Sequence, residues 1–257
     1  MSSKNSHMYT HTITPSEQLF LDSGPFFHLC TTPLESDVLF LDTERAPALN
    51  YLAISAAGSP CRLLAYSIMS NHFHFVLEGQ QNHCVSFWNT YRTLLEKYLN
   101  RHGRSRIMNR VEVKTIRIDD LRQLRNPIAY VIRNAFAART DVHVFTDPWS
   151  SGYLYFNPLL RKDGVSAASL KGLALRKFTR SRMINGLDER IMVRDGQAQP
   201  WSFVDYPFTE RFYDSARQFI HSVLKNVEAM VELDLSLGER PVLSDDEMIP
   251  LSKGSRL

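Results

Sequence analysis

The chain has 257 residues, of which 44% are hydrophobic and 22% are charged; these proportions are typical of globular proteins and exclude fibrous or wholly disordered ones. No apolar run reaches the roughly 18–20 residues that cross a bilayer, and the N-terminus lacks the apolar core of a secretory signal. We therefore expect a soluble, cytoplasmic protein with no membrane partner. The formal net charge is only +3, but residues 90–140 contain twelve Lys or Arg against four Asp or Glu. Such a local excess indicates either a polyanion-binding segment or an ordinary solvated face.

The first part of the chain alternates between strand and helix patterns. Residues 1–24 are polar and are interpreted as an N-terminal arm, and the aromatic, β-prone residues 25–32 predict a first strand. Apolar residues at helical spacing predict a helix over 42–58. Two further β-prone runs, 62–69 and 72–78, predict a hairpin.

A second helix and a fourth strand follow. The apolar stripe of residues 84–101 predicts a long amphipathic helix, and the β-formers of 111–118 predict a strand after a basic loop. Asp119 or Asp120 then caps a helical stretch that Pro127 interrupts. Because proline suits the first turn of a helix, we predict that a separate helix runs from about 126 to 139.

Beyond residue 158 the pattern becomes less regular. It predicts a helix near 166–180, a mixed turn region, and a helix over about 209–231. An acidic tail follows, with six Asp or Glu against three Lys or Arg beyond Met230. No motif in this part points to chemistry.

The element order β-α-β-β-α-β-α predicts an α+β fold. It is the order of a ferredoxin-like (split βαβ) antiparallel sheet with helices on one face, here with an extra helix and a C-terminal helical extension. We accordingly divide the chain into an arm (1–24), a catalytic domain (25–158) and a helical extension with its acidic tail (159–257).

Two histidines form the strongest local signal for chemistry. His72 and His74 are two residues apart on a predicted strand, so both imidazoles face the same side of the sheet. Imidazole is a good ligand for transition metals, and two such groups can grip one divalent ion. The alternative is a pair of unrelated polar residues on a half-exposed strand.

The three cysteines are widely spaced, which predicts reduced, largely buried thiols.

A tyrosine and an asparagine form the second signal. Tyr130 and Asn134 are four residues apart on the predicted last helix of the domain and share one face. A tyrosine hydroxyl can attack a phosphate covalently when a nearby cation stabilises the reacting group, and an Asn carboxamide oxygen could be a third metal ligand. The alternative is that Tyr130 is an ordinary core aromatic.

Three strings of the sequence together resemble a known family. Residues 69–76, MSNHFHFV, are similar to the strand signature MPNHVHLL of the HUH single-tyrosine transposases, and most closely of the REP-associated tyrosine transposases. Residues 130–135, YVIRNA, resemble the family's YIxxNP helix, and residues 147–153, DPWSSGY, resemble its PWSSY element. The chain departs from the family where Ser70 and Ala135 replace prolines, and no departure removes a catalytic residue.

The resemblance implies a transposase-like enzyme that cleaves and joins single-stranded or hairpin DNA as a monomer or homodimer. It implies that Tyr130 is the nucleophile and forms a 5′-phosphotyrosine link, and that His72, His74 and Asn134 hold Mg²⁺ or Mn²⁺. The alternative is a domesticated nucleic-acid-binding protein that keeps the fold but no longer cuts. A metal-dependent hydrolase of small molecules is a weaker option. The candidate contacts to the DNA backbone are Arg92, Lys97, Arg101, Arg104, Arg106 and Arg110.

Overall fold

The structure, a computed structural model, describes residues 13–34, 38–138, 143–182, 184, 186–224 and 242–243. The first twelve residues of the predicted arm and nearly all of the acidic tail therefore lie outside the described residues. Up to residue 138 the elements are α1 (Pro15–Leu21), β1 (Phe26–Thr31), α2 (Asp42–Ala57), β2 (Arg62–Ile68), β3 (Phe73–Glu78), α3 (Gln81–Arg101), β4 (Val113–Ile118) and α4 (Leu121–Ala138).

The main sheet confirms the predicted fold class. Its strand order is β2-β3-β1-β4, extended by the two-residue β8 (Val242–Leu243), and all neighbours are antiparallel. With β1 and β3 in the centre, this is the arrangement of a split βαβ unit. The strands begin and end within two residues of the predicted positions because their apolar residues are buried and their flanks carry turn residues.

The sheet has helices on both faces. Alternation along β3 points Phe73 and Phe75 to one side, where both rings contact Tyr91 of α3. The other side carries His74, whose ring contacts Tyr130 of α4. The two helices of the split βαβ unit, α2 and α3, thus share one face as predicted, and α4, the extra helix, covers the opposite face.

The predicted break at Pro127 is wrong, because α4 is one helix that begins at Leu121 and contains this proline. Asp120 caps its start by accepting a hydrogen bond from the backbone N–H of Gln123 at 2.7 Å. Proline removes one backbone hydrogen bond inside the helix. Burial of the apolar face of α4, which includes Leu124 and Ile128 at 0% exposure, compensates for that loss.

The predicted arm contains α1, which the sequence analysis missed. Thr14 and Glu17 form a capping box, in which each side chain binds the backbone N–H of the other residue. Phe20 of this helix stacks on Phe26 at 5.0 Å between ring centroids, so α1 packs against the start of β1.

The C-terminal extension contains a second, small sheet that the sequence analysis did not predict. Its strands are β5 (Val165–Ser166), β6 (Met192–Arg194) and β7 (Gln197–Ala198), and its helices are α5 (Gly172–Thr179), α6 (Tyr206–Glu210) and α7 (Ala216–Leu224). The helix predicted over 166–180 is shorter than expected. The helix predicted over 209–231 is wrong as a single element, because residues 211–215 separate α6 from α7; residues 225–231 lie outside the described range.

The extension packs on both sides of the first domain. On one side, buried Asn50 of α2 donates to the carbonyls of Phe178 and Gly196 at 3.0 Å and accepts from the N–H of Ala198 at 2.8 Å. On the other side, α7 packs against α4. Within the described residues, no helix combines the length and apolarity needed to span a membrane.

Candidate active site

The two histidines of the sequence motif come together at the beginning of β3. His72 lies one residue before the strand and His74 lies within it. Their rings are 4.9 Å apart between centroids and mutually perpendicular. His74 is 5% exposed and His72 is half-buried, so the pair is reached from solvent through His72.

Helix α4 brings Tyr130 and Asn134 to the same place. The Tyr130 ring lies edge-on to the His74 ring, at 5.2 Å between centroids. One turn further along the helix, the Asn134 amide nitrogen is 3.1 Å from Nε2 of His72. The structure thus gathers four sequence-predicted site residues, from one strand and one helix, into one cluster.

Two hydrogen bonds define the protonation of His72. Its Nδ1 lies 2.7 Å from the side-chain oxygen of Asn71 and therefore carries the proton that it donates. Nε2 then carries the lone pair, which accepts from the Asn134 amide. Burial lowers the pKa of His72 to about 4, so the ring is neutral near pH 7. A neutral imidazole with an inward lone pair is the state that binds a metal ion.

His28 and Cys30 join the cluster, and the sequence analysis missed both as site residues. They lie on β1, where Cys30 pairs directly with His74 across the sheet. His28 is 1% exposed, and its Nε2 is 3.1 Å from Nδ1 of His74. The ligand atoms of His28, Cys30 and His74 all lie within 4.8 Å of one another, which makes them a second candidate metal cluster. The available signal was the His-x-Cys spacing on the first predicted strand, which matches the spacing of His72 and His74.

The buried histidines leave ring nitrogens without partners. Among the described residues, Nδ1 of His28 and Nε2 of His74 are buried and make no hydrogen bond. Burial lowers the pKa of His28 to about 4; the pKa of His74 is also lowered, chiefly by burial and further by the neighbouring histidines. A partnerless nitrogen on a neutral ring is a suitable metal ligand, so these residues fit a divalent ion.

The serines of the third sequence motif have structural contacts. Ser150 forms a β-bridge with Ser67 of β2, and the Ser151 hydroxyl accepts from the N–H of Tyr66 at 3.1 Å. The segment 147–153 thereby covers the outer edge of β2. A Cβ at Gly152 would lie 2.4 Å from the carbonyl oxygen of Val144, so only glycine fits there.

The six basic candidates differ in what their side chains contact. Arg92 forms an ion pair with Glu96 at 2.9 Å. The Arg104 guanidinium pairs with the buried carboxylate of Glu44 and also donates to the carbonyl of Val38, so it supports the fold. The remaining four candidates are exposed and lie along the end of α3 and the loop after it: Lys97, Arg101, Arg106 and Arg110.

Comparison with known proteins identifies one partial structural likeness. No protein-family model and no curated protein matches the chain. A solved structure of the REP-associated tyrosine transposase bound to a REP hairpin matches with a TM-score of 0.42 and 14% sequence identity. The match covers 51% of this chain and 79% of that chain. A likeness of this extent does not assign the chain to a family.

Proposed function

We propose that the chain is a metal-dependent enzyme that nicks and joins single-stranded DNA, with transposase-like chemistry through a 5′-phosphotyrosine intermediate. One observation carries the proposal: the ring of Tyr130 lies 5.2 Å from the ring of His74, which in turn lies 4.9 Å from that of His72. Motif residues that are distant in the sequence thus lie close together, which supports the roles that the HUH resemblance implies for them.

The metal ligands in this proposal are Nε2 of His72, Nε2 of His74 and the carboxamide oxygen of Asn134. Nε2 of His74 has no protein partner among the described residues. Nε2 of His72 contacts the amide nitrogen of Asn134, and rotation of this carboxamide would turn its oxygen toward an ion. A divalent ion such as Mg²⁺ or Mn²⁺ held there would polarise the scissile phosphate. The rival cluster replaces the half-buried His72 by His28, which is 1% exposed, so a phosphate has less access to that histidine.

Tyr130 is the nucleophile in the proposed reaction. Its phenolic oxygen loses a proton to solvent and forms a bond to phosphorus, and the bond from phosphorus to the 3′-oxygen breaks. The 3′-oxygen takes up a proton and leaves as a hydroxyl. The phosphodiester energy is conserved in the phosphotyrosine link, so rejoining to another 3′-hydroxyl requires no nucleotide cofactor.

Both halves of the proposed site come from one chain. Tyr130 and Asn134 approach the histidines of the same molecule, which is compatible with a monomer and with a homodimer of complete sites. The alternative proposal, a non-cutting DNA-binding protein on the same fold, predicts that DNA binds but that no covalent link forms.

Covalent trapping tests the proposal. The protein is incubated with single-stranded hairpin DNA and Mn²⁺, and the denatured products are searched for an adduct on Tyr130. Tyr130→Phe is expected to abolish the adduct while DNA affinity is retained, because only the nucleophilic oxygen is removed. Tyr91→Phe is the matched control, since this buried ring lies on the opposite face of the sheet. DNA binding without any adduct in the wild type would favour the non-cutting alternative.

A further inference from the structure

An open pocket of about 530 Å³ lies where the end of α3 meets the end of α5. We call it the arginine pocket, and its lining consists of Arg101, His102, Arg176, Arg180, Ser181 and Arg182. It joins the first domain to the extension, because the guanidinium of Arg101 donates to the backbone carbonyl of Arg180.

The pocket has four cationic side chains and no carboxylate in its lining. All four arginines are exposed, and none forms an ion pair with any described residue. The exposed Arg62, Arg190 and Arg194, in contrast, each pair with an Asp or Glu. Clustered cations without counter-charges produce a strong positive potential at a concave surface. Such a surface is suited to an anionic ligand.

Helix stabilisation explains only part of this cluster. Cations at the carboxyl end of a helix interact favourably with its dipole, which accounts for Arg101 at the end of α3 and Arg176 in the last turn of α5. Arg180 and Arg182 lie beyond the last turn of α5. The backbone just before them is anchored, because Tyr51 of α2 donates to the carbonyl of Thr179 at 3.1 Å.

Two basic segments of the sequence converge at the pocket. Residues 97–110 contain five Lys or Arg and no Asp or Glu, and residues 171–182 contain five and none. The first segment supplies the exposed arginines predicted to contact DNA. The second belongs to the extension, where the sequence pattern indicated no function.

The pocket lies at the same end of the sheet as the candidate active site. Helix α3 runs back along β3, since Phe75 contacts Phe87 and Phe73, two residues earlier, contacts Tyr91. The end of α3, ten residues beyond Tyr91, therefore extends about 15 Å past the start of β3, on the sheet face opposite Tyr130. The loop after α3 reaches the same region, because Arg104 binds the carbonyl of Val38.

We propose that the arginine pocket binds backbone phosphates of the paired stem of the DNA substrate, and that the extension is thus part of the DNA-binding surface. This proposal rests on the DNA-processing function proposed above. Unpaired strands are normally held by bases stacking on aromatic side chains as well as by cations. In the described lining the one ring is that of His102, and it already contacts Tyr98 at 4.2 Å between ring centroids. The pocket therefore offers mainly contacts to phosphates and no free aromatic ring for an unpaired base.

Neutralising two pocket arginines tests this proposal. The double variant Arg176→Gln/Arg182→Gln keeps two long polar side chains and removes two charges. The control variant Arg161→Gln/Arg194→Gln removes two exposed charges elsewhere in the extension, both paired with Asp163. Affinity is measured against salt concentration for a hairpin DNA and for an unpaired DNA of equal length.

The pocket variant is expected to flatten the slope of log affinity against log salt for the hairpin by up to about 1.8 units, at about 0.9 per lost phosphate contact. The slope for unpaired DNA and all slopes of the control variant should match the wild type. An unchanged hairpin slope, or an equal change on unpaired DNA, would overturn the proposal. Measuring the Tyr130 adduct at saturating DNA separates the two proposals. If the wild type forms the adduct but the pocket variant keeps the wild-type salt slope, only the proposal for the arginine pocket is refuted. If the wild type does not bind DNA at all, both proposals are refuted.

Discussion

Replacing His28 by leucine is expected to weaken divalent-metal binding by about 10- to 100-fold, the usual effect of losing a partner that orients a metal ligand. His28 does not coordinate the ion in the proposed site, but its Nε2 lies 3.1 Å from Nδ1 of His74. Two proton arrangements satisfy this hydrogen bond. Only the one in which His74 donates leaves a lone pair on Nε2 of His74. By accepting this hydrogen bond, His28 stabilises the metal-binding form of the ring.

The expected loss corresponds to about 1.4–2.8 kcal/mol of metal-binding free energy, at about 1.4 kcal/mol per factor of ten. Folding stability should change less. The His28 side chain is 1% exposed with one ring nitrogen partnerless among the described residues, so an apolar side chain of similar size removes an unsatisfied polar atom as well as a hydrogen bond. His28→Gln is the matched control, because its amide can accept the bond from His74 and should restore binding.

Calorimetric titration with Mn²⁺, accompanied by thermal melting in a chelator, measures both quantities. Wild-type affinity in His28→Leu would refute the orienting role, and so would a failure of His28→Gln to restore binding. Cys30→Ala separates the two candidate clusters. It should leave affinity unchanged if the ion is held by His72 and His74. A loss in Cys30→Ala, together with unchanged affinity in His72→Ala, would instead locate the ion in the cluster of His28, Cys30 and His74.

Two further predictions concern stability, and denaturant unfolding measures both. Arg104→Ala leaves the carboxylate of Glu44, which is 3% exposed, without its partner and should cost about 3–5 kcal/mol. Arg106→Ala, at an exposed position of the same loop, should stay within about 0.5 kcal/mol; similar losses in the two variants would contradict the structural role of Arg104. Gly152→Ala should cost about 1–3 kcal/mol because its Cβ would clash with the Val144 carbonyl, and wild-type stability would show that this contact relaxes freely.

The central sheet and its helices could be predicted because their signals are local. Alternation with period two and apolar spacing of three to four residues are visible within single segments, and the structure confirms the resulting split βαβ order. Pro127 misled the prediction because the packing of α4 between the sheet and α7 outweighs one missing hydrogen bond. The strands of the extension have only two or three residues, too few for any period to be seen.

The candidate site, too, could be predicted only in part from the sequence. His72 and His74 are adjacent on one strand, and Tyr130 and Asn134 on one helix, so each pair could be found from its spacing. The spacing of His28 and Cys30 could mark them as a pair but could not place His28 beside His74, because that contact spans 46 positions and depends on the register of β1 against β3. Register is set by long-range pairing, which no single segment reveals.

The extension packs against the helix that carries part of the candidate site. Helix α4 carries Tyr130 on the face toward the sheet, and α7 packs against α4. Arg133, which is 8% exposed and adjacent to Asn134, donates to the carbonyl of Val223 in α7 at 3.5 Å. A helix held between a sheet and a second helix has little freedom to tilt, and geometry fixed before substrate binds lowers the cost of reaching the transition state. The packing of α7 against α4 therefore makes the extension a structural support for the candidate site.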